Sequence, residues 1–453
     1  MIQVSLIAKT DMPPLESASH SALRCYQAKP PTRGKVIDVF KKLFKTSHHT
    51  TLQHFSATFG IEGIAVGDVT FGAHLCSPFY NSDQRSGRYC AEMFINPNWD
   101  QIREYITQYW PEVSEASVTR IMAYVQKWTG RYHQKIEEAT KLAAQFLTEE
   151  RPNASAKYIA EQAPKIAQEQ MRAILPIIYP TGLDFTVNLS AIVALWESAF
   201  TPAMRHVTDQ MVSELRTLYP ELEPMFDPER RRKTDWSVPL RREFVSVETK
   251  PLVQYSSIED ELFFTVPDPE DMHPVDRLHF TPELMNNNIG ELSTSIVIST
   301  GTMAQDHRHR KIRRGQPSFC GSFYLPPILD ALNMHDAAET MLTEWLEISK
   351  LIPGTLAQVL TPYGSMITYR KKGSFNAILH EQAKRGCLCS QEEIFTLSRI
   401  MRSQIQNTRR SWLKDDPIMN MFEPPCQKTG KCAEGDRFCG RDMKGEFPTK
   451  RRV

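Results

Sequence analysis

The stretch AQDHRHRKIRRGQPSFC, residues 304–320, decides how this sequence is read. It sets Arg308, His309 and Arg310 in a row, with Gln305 three positions ahead and Ser318 beyond seven intervening residues. A guanidinium stays charged at any relevant pH and grips phosphate oxygens as a planar fork. A His-Arg cluster by itself is more often a solvated face or a generic anion site, so its surroundings matter. A strand-like run, Ser293 to Ser299, leads into it. Helical periodicity follows at Ile328–Lys350, then a Pro-Tyr-Gly turn at 362–364, then a helix from about Gln391 to Ser411.

The first half runs through the same order of events. A short apolar strand spans Val4 to Ala8, and a helical stretch is expected at Gly34–Lys45, with Val36, Val39, Phe40 and Leu43 on one face. Alternating Phe55, Ala57, Phe59 and Ile61 predict a strand over His54–Val66. Residues 99–150 carry a helical stripe through Ile121, Val125, Trp128 and Tyr132, and Ala154–Tyr179 continues helical up to a breaker at Pro180-Thr-Gly182. A helix from Leu189 to Leu218 closes the half. Strand, polar motif, helices, proline-centred turn and helix thus occur twice, at a spacing too long for a solenoid, which points to fusion of two copies of one fold. The division read from the sequence is a first copy at 1–225, a linker at 226–257 rich in proline and arginine, a second copy at 258–415, and a basic, cysteine-containing tail at 416–453.

The bulk composition sets outer bounds. At 453 residues, 41% hydrophobic and 24% charged, the chain is an ordinary globular protein of several domains. A net charge of +1 gives no global field for nucleic acid or an anionic membrane, so nucleic acid and membrane are not expected partners. No run approaches a membrane span and the start lacks the layout of a signal peptide, so a cytoplasmic location is expected.

Three further stretches carry a family resemblance. SHHTTLQHF (47–55) together with Ser86-Gly87-Arg88-Tyr89 resembles the flavin-dependent thymidylate synthase family, in which a His-x-Thr-Pro-x-Glu-His segment opens a strand leading to Arg-His-Arg and then to Ser-Gly-Arg-Tyr. MRAILPIIYPTGLDFTVN (171–188) is similar to the family's Arg-Ile-Val-Leu-Pro…Thr-Val-Asn stretch, and 356–386 aligns with 170–200 without gaps. Arg308-His309-Arg310 with Ser318 fits the family's Arg-His-Arg-x7-Ser pattern, and HFTP (279–282) is similar to its opening segment.

The resemblance implies an α+β fold, each copy an antiparallel sheet flanked by long helices, packed as a pseudo-dimer. It implies C5 methylation of dUMP with FAD as cofactor and methylene-tetrahydrofolate and NADPH as co-substrates. Related flavin-dependent chemistry such as hydroxymethylation, or a non-catalytic nucleotide- or nucleic-acid-binding homologue, are the alternatives. Residue by residue, it makes Arg385 catalytic, and gives substrate contacts to Ser86, Gly87, Arg88, Arg172, Gln305 and Arg308. Flavin contacts fall to His48, Thr50, Asn188, Arg308, His309, Arg310 and Asn376.

The departures are complementary. In the first copy Phe71-Gly72-Ala73-His74 replaces Arg-His-Arg, Ala199 stands where the catalytic arginine belongs, and Gln53 replaces a glutamate. In the second, Phe319 and Cys320 replace Gly-Arg after Ser318, and Gln358 replaces the arginine matched by Arg172. One composite site per chain, with a decayed reciprocal site, is the expectation, and family tetramers imply a homodimer of the fused chain. The tail adds Cys426, Cys432 and Cys439, a candidate structural zinc or iron–sulfur knuckle to which Cys387 or Cys389 would add a thiolate.

Overall fold

Alternating apolar side chains build the central strands. In the computed structural model, which describes residues 1–75, 80–199, 201–259, 291–407, 422–432, 434–435, 438–449 and 451–453, the chain forms two compact units. The first gathers Met1–Met122, Ile177–Ser237 and Leu351–Thr361; the second gathers Ala123–Pro176, Val238–Lys350 and Pro362–Val453. Each unit therefore draws on both halves of the sequence, unlike the contiguous division expected above. The HFTP segment lies outside the described residues.

The first unit holds strands β1 (Gln3–Lys9), β2 (Ser56–Ala65), β3 (Tyr80–Gln84) and β4 (Pro180–Asn188) in an antiparallel sheet ordered β1-β2-β4-β3. Ala57, Phe59 and Ile61 on β2 stand opposite Val187, Phe185 and Leu183 on β4, and all six are buried. This cross-strand apolar face fixes the register, since a one-residue slip would turn it to solvent. Pro180-Thr-Gly182, read from sequence as a breaker, instead opens β4, because the inward alternation of Leu183, Phe185 and Val187 outweighs the local turn signal.

The second unit holds β5 (Ser246–Glu248), β6 (Leu252–Glu259), β7 (Glu291–Ser299), β8 (Arg313–Arg314), β9 (Ser318–Tyr324) and β10 (Ser365–Ser374). Its sheet runs β5-β9-β10-β7-β6, with β8 also pairing β10; β5 is parallel to β9 and the remaining pairs are antiparallel.

Corresponding positions repeat the same local geometry. In the first unit β2 and β4 pair Ala65 with Pro180; in the second, β7 and β10 pair Ser299 with Met366. Each leading strand runs straight into a short helix, Val66–Phe71 or Thr300–Asp306. Near the start of these helices Gly67 N donates to Ile177 O at 2.8 Å and Gly301 N to Tyr363 O at 3.0 Å. Ile177 N donates to Thr361 O, and Tyr363 N donates to Leu175 O, both at 2.9 Å. The gap-free alignment of 170–200 with 356–386 interchanges these two bonds. The same alignment matches the caps of the following helices: Asn188 Oδ1 accepts from Ala191 N at 2.8 Å, and Ser374 Oγ from Ala377 N at 3.3 Å.

Helix boundaries fall at breakers that periodicity alone passes over. The 99–150 helix splits into Trp99–Tyr109 and Glu115–Glu150 around Pro111. Leu189–Leu218 splits at Ala199–Thr201, where Pro202 starts a new helix, Pro202–Leu218, capped by Thr201. Ile328–Lys350 splits beside Asn333, whose φ of 54° ends the first piece. Gly34–Lys45 shrinks to a single turn at Phe40–Phe44 after Gly34 takes a φ of 81°. Among the described residues no helix is long and apolar enough to cross a membrane.

Candidate functional site

The 307–314 loop leaves the end of helix Thr300–Asp306, and a buried charge network holds it in place. Asp306 Oδ1 accepts from Lys371 Nζ at 2.8 Å, and its Oδ2 accepts from Arg314 Nε at 2.6 Å and Tyr369 Oη at 2.8 Å. Lys371 Nζ also reaches both oxygens of Glu381, at 2.8 and 2.7 Å. Arg314 then closes the loop on itself, donating from Nη1 to the carbonyls of His309 (2.9 Å) and Ile312 (2.8 Å). Asp306, Lys371 and Glu381 are all about fully buried, so each ion depends on the others for the solvation it has lost. Burial alone would push the Asp306 carboxyl up, but Arg314 and Lys371 beside it hold it well below the usual carboxylate range. Burial pushes the Glu381 carboxyl up, and Lys371 offsets only part of that.

Asp306, Arg314, Tyr369, Lys371 and Glu381 do not belong to the sequence-derived set. Their signal was present: inward alternation along β10 places Lys371 on the same face as Ile367 and Tyr369, where an unpaired lysine is costly. A charge at such a position predicts acidic partners.

The same network ties the loop to helix Phe375–Arg385, because Glu381 sits on that helix. At the helix end Arg385 Nη2 donates to Gln305 O at 2.6 Å. Two residues that the sequence assigned to one site from 80 positions apart are therefore in contact. The Gln305 side chain donates from Nε2 to Gln391 Oε1, while its own Oε1 is buried with no hydrogen-bond partner. A buried, unused amide oxygen is suited to an N–H of a ligand.

Arg308 is exposed, whereas His309 and Arg310 are half-buried. Burial, and then the Arg385 guanidinium, push the His309 imidazole down to about 2, so it is neutral at physiological pH. Its ring packs edge-on against His380 with centroids 5.6 Å apart.

Arg172 belongs to this second unit, with its guanidinium 5.0 Å from the centroid of the Tyr363 ring. It lies within one turn (Arg172–Ile174) at the end of helix Ala156–Met171. Nearby, Glu393 accepts from Ser299 N at 2.6 Å, from the Ser299 hydroxyl, and from Thr302 Oγ1 at 2.5 Å. Burial raises its carboxyl to about 7.

Ser86, Gly87 and Arg88 lie in the first unit, in the turn that follows β3. Ser86 Oγ accepts from Arg88 N at 3.3 Å, and Tyr89 N donates to Ser86 O at 3.0 Å, a tight turn that groups the hydroxyl with backbone N–H groups. The position aligned with Arg308 here is His74, whose Nε2 lies 3.1 Å from Ser82 Oγ. The first unit has a helix and a turn at this point, Val66–Phe71 and Ala73–Leu75, with no arginine in either. Asp68 on helix Val66–Phe71 accepts from Tyr105 Oη and, at 2.5 Å, from Thr201 Oγ1, and burial raises it to about 6. In the second unit Thr302, at the position that aligns with Asp68, donates to Glu393.

His48 and Thr50 are exposed, around the start of the one-turn helix His49–His54. Asn188 caps helix Leu189–Ser198, so its side-chain oxygen is already engaged. The side chain of Asn376 lies outside the described residues. The expected metal knuckle at Cys426, Cys432 and Cys439 is not supported: among the described residues no group of three or more His, Cys, Asp or Glu is arranged to hold a metal ion.

For a flavin nucleotide the donor set is chemically apt. Arg308 and Arg310 offer forked cations to a pyrophosphate, and neutral His309 offers one donor and one acceptor to a ring edge. The unpartnered Gln305 Oε1 adds a buried acceptor in the same place.

Residues 5–221 match the family model for thymidylate synthase complementing protein. Among solved structures, the chain is similar to thymidylate synthase X from Helicobacter pylori with FAD and dUMP, at 16% identity and a TM-score of 0.34, covering 51% of this chain and 100% of that one. It is also similar to the UMP/dUMP methylase PolB from Streptomyces cacaoi bound with 5-Br dUMP, at 16% identity and a TM-score of 0.30, covering 50% and 94%. No curated protein matches the chain.

Proposed function

The chain is a member of the thymidylate synthase complementing protein family through residues 5–221, and from that premise we propose that it is a flavin-dependent enzyme that methylates C5 of dUMP, with methylene-tetrahydrofolate as carbon donor and NADPH as reductant. The observation that carries this reading is the contact between Arg385 and the Gln305 carbonyl at 2.6 Å, at the base of the Arg308–Arg310 loop. It joins two of the residues that this reading assigns to the second half's share of the site.

In this reading Arg385 stabilises negative charge that develops on the uracil carbonyls as C5 becomes nucleophilic, an effect that depends on a donor fixed in advance. The hydrogen bond to a backbone carbonyl and the Glu381 network on the same helix supply that fixity. Gln305 Oε1 accepts the imide N–H of the base. Ser86, Gly87, Arg88, Arg172 and Arg308 bind the nucleotide, its phosphate meeting guanidinium forks and the turn N–H groups. His309, Arg310 and Arg308, with His48, Thr50, Asn188 and Asn376, hold the cofactor. FAD, when bound, supplies the reducing equivalents for the transferred carbon.

The two units are read as diverged copies of one fold, packed as a pseudo-dimer. Support comes from the interchangeable backbone bonds at Ile177 and Tyr363 and the matching strand registers. Each half lacks what the other keeps: His74, Ala199 and Gln358 stand where Arg308, Arg385 and Arg172 have their counterparts. One working site per chain follows, and a homodimer of the chain would restore the family's fourfold count of copies.

Separate Arg88→Ala and Arg385→Ala substitutions test the reading. Each lowers dUMP-dependent turnover by a factor of about 100 or more, although the two positions lie in different halves of the sequence. Full turnover in either variant overturns it.

A further inference from the structure

The start of helix Glu392–Gln406 grips helix Thr300–Asp306 at more than one point. Glu393 takes the Ser299 and Thr302 groups described above. Gln391 stands just ahead of the same helix, and its side chain makes no capping bond to the helix backbone. It turns instead to Gln305, whose Nε2 donates to Gln391 Oε1. Gln391 is 5% exposed and Gln305 6%, so bulk water does not compete for this bond. Arg385 holds the backbone carbonyl of the same Gln305 at 2.6 Å. Gln305 is thus fixed at its backbone and at one face of its amide, and its Oε1 is left buried with no hydrogen-bond partner.

We propose that Gln391 is a positioning residue that sets the base specificity of the site. By accepting the Gln305 N–H it turns the Gln305 oxygen, rather than the amino group, toward the base, and so selects uracil over cytosine nucleotides. The proposal rests on the reading that a pyrimidine nucleotide occupies this site.

A primary amide carries an acceptor on one side and two donors on the other, and a half-turn interchanges them. Oxygen and amino group differ little in size, so packing alone does not choose between the two orientations. The partner chooses. With Gln391 Oε1 facing it, Gln305 must present Nε2, because two facing carbonyl oxygens repel. Uracil offers N3–H, a donor that meets the free Gln305 Oε1. Cytosine offers a bare N3 at the same point, and an amino group where uracil has O4. Oxygen and nitrogen lone pairs would then face each other in a buried place, with no water to separate them. A site built around one such hydrogen bond rejects the analogue that lacks the donor far more strongly than an apolar pocket rejects a change of size. At the matching position of the first unit stands Phe71, which has no amide to orient.

The test measures binding of dUMP and of dCMP to the full chain by equilibrium dialysis, without turnover, with circular dichroism as the check on folding. The unsubstituted chain is expected to prefer dUMP by a factor of about 100 or more. Gln391→Met removes the acceptor and frees the Gln305 amide to turn. The preference should fall at least about tenfold, with dCMP binding gained in absolute terms. Loosened packing weakens both nucleotides alike and does not produce that gain. Gln391→Ala makes the same test with less volume to place in the core. Gln391→Glu, whose carboxylate only accepts, should keep the preference. An unchanged preference in the Met and Ala variants overturns the proposal, as does its loss in Gln391→Glu. Equal affinity of the unsubstituted chain for both nucleotides overturns the proposal and leaves the pyrimidine-nucleotide reading standing; binding of neither overturns both.

Discussion

Arg385 and Gln305 are joined by a 2.6 Å hydrogen bond from a guanidinium nitrogen to a backbone carbonyl, across 80 positions of sequence. Because a carbonyl oxygen rather than a carboxylate takes this bond, the arginine is oriented without its charge being neutralised by that partner. Arg385→Ala should lower kcat by a factor of about 10²–10³, the usual cost of removing one preorganised charge donor. Arg385→Lys keeps the charge and loses the fork, so it should recover only part. Steady-state kinetics on dUMP, with circular dichroism to confirm folding, measures both.

The Asp306–Lys371–Glu381 network predicts a stability effect rather than a chemical one. Lys371→Met leaves two buried carboxylates facing each other and Arg314, and should cost about 3–5 kcal/mol. A shift in urea midpoint with unchanged slope would report it. An unchanged midpoint would mean that the charges are not buried as the structure has them.

Two glycines at corresponding positions should respond differently to the same change. A Cβ on Gly67 would lie 2.9 Å from the Val359 Cα, a backbone atom that cannot swing away. On Gly301 the nearest neighbour is at 3.5 Å, an ordinary contact. Gly67→Ala is therefore expected to destabilise by about 1–3 kcal/mol, whereas Gly301→Ala is neutral or slightly stabilising. Thermal unfolding of the two variants side by side decides this.

Much of this arrangement was legible in the sequence, and the gaps have physical causes. Alternation at Phe55–Ile61 predicted β2, and the gap-free alignment of 170–200 with 356–386 sets Asn188 opposite Ser374, which the structure shows to be helix caps. Strand β4 was missed because Pro180 and Gly182 look like a turn until the inward set Leu183, Phe185 and Val187 is counted. Gln305, Arg308 and Arg385 were grouped through the family resemblance and its alignment, and the structure brings Gln305 and Arg385 into contact. Asp306, Lys371 and Glu381 were not, because a buried ion network has no fixed spacing; only the inward register of Lys371 hints at it. The grouping of Arg172 with the second unit was also hidden, since tertiary segment exchange leaves no local mark on a helix end.

Buried acids give the fold a pH dependence of definite sign. Glu393 is raised from an ordinary value of 4.5 to about 7, and Asp68 from 3.8 to about 6. Each stays protonated in the folded chain at a pH where the unfolded chain has released its proton. The stability this represents, on the order of 3 kcal/mol for each, is full below the unfolded value and lost as pH rises through the folded one. Stability should thus fall between about pH 4 and pH 7. Glu393→Gln should flatten the upper part of that fall. A urea midpoint series against pH shows it, and a Glu393→Gln curve parallel to that of the unsubstituted chain would refute the assignment.

The most direct measurement is cofactor and nucleotide stoichiometry on the purified chain, by flavin absorbance and by equilibrium dialysis with dUMP. The account predicts a yellow protein holding one FAD and one dUMP per chain, with dUMP binding lost in Arg88→Ala and turnover on dUMP lowered in Arg385→Ala. A colourless protein that takes up no added FAD, or one that binds two nucleotides per chain, would contradict it.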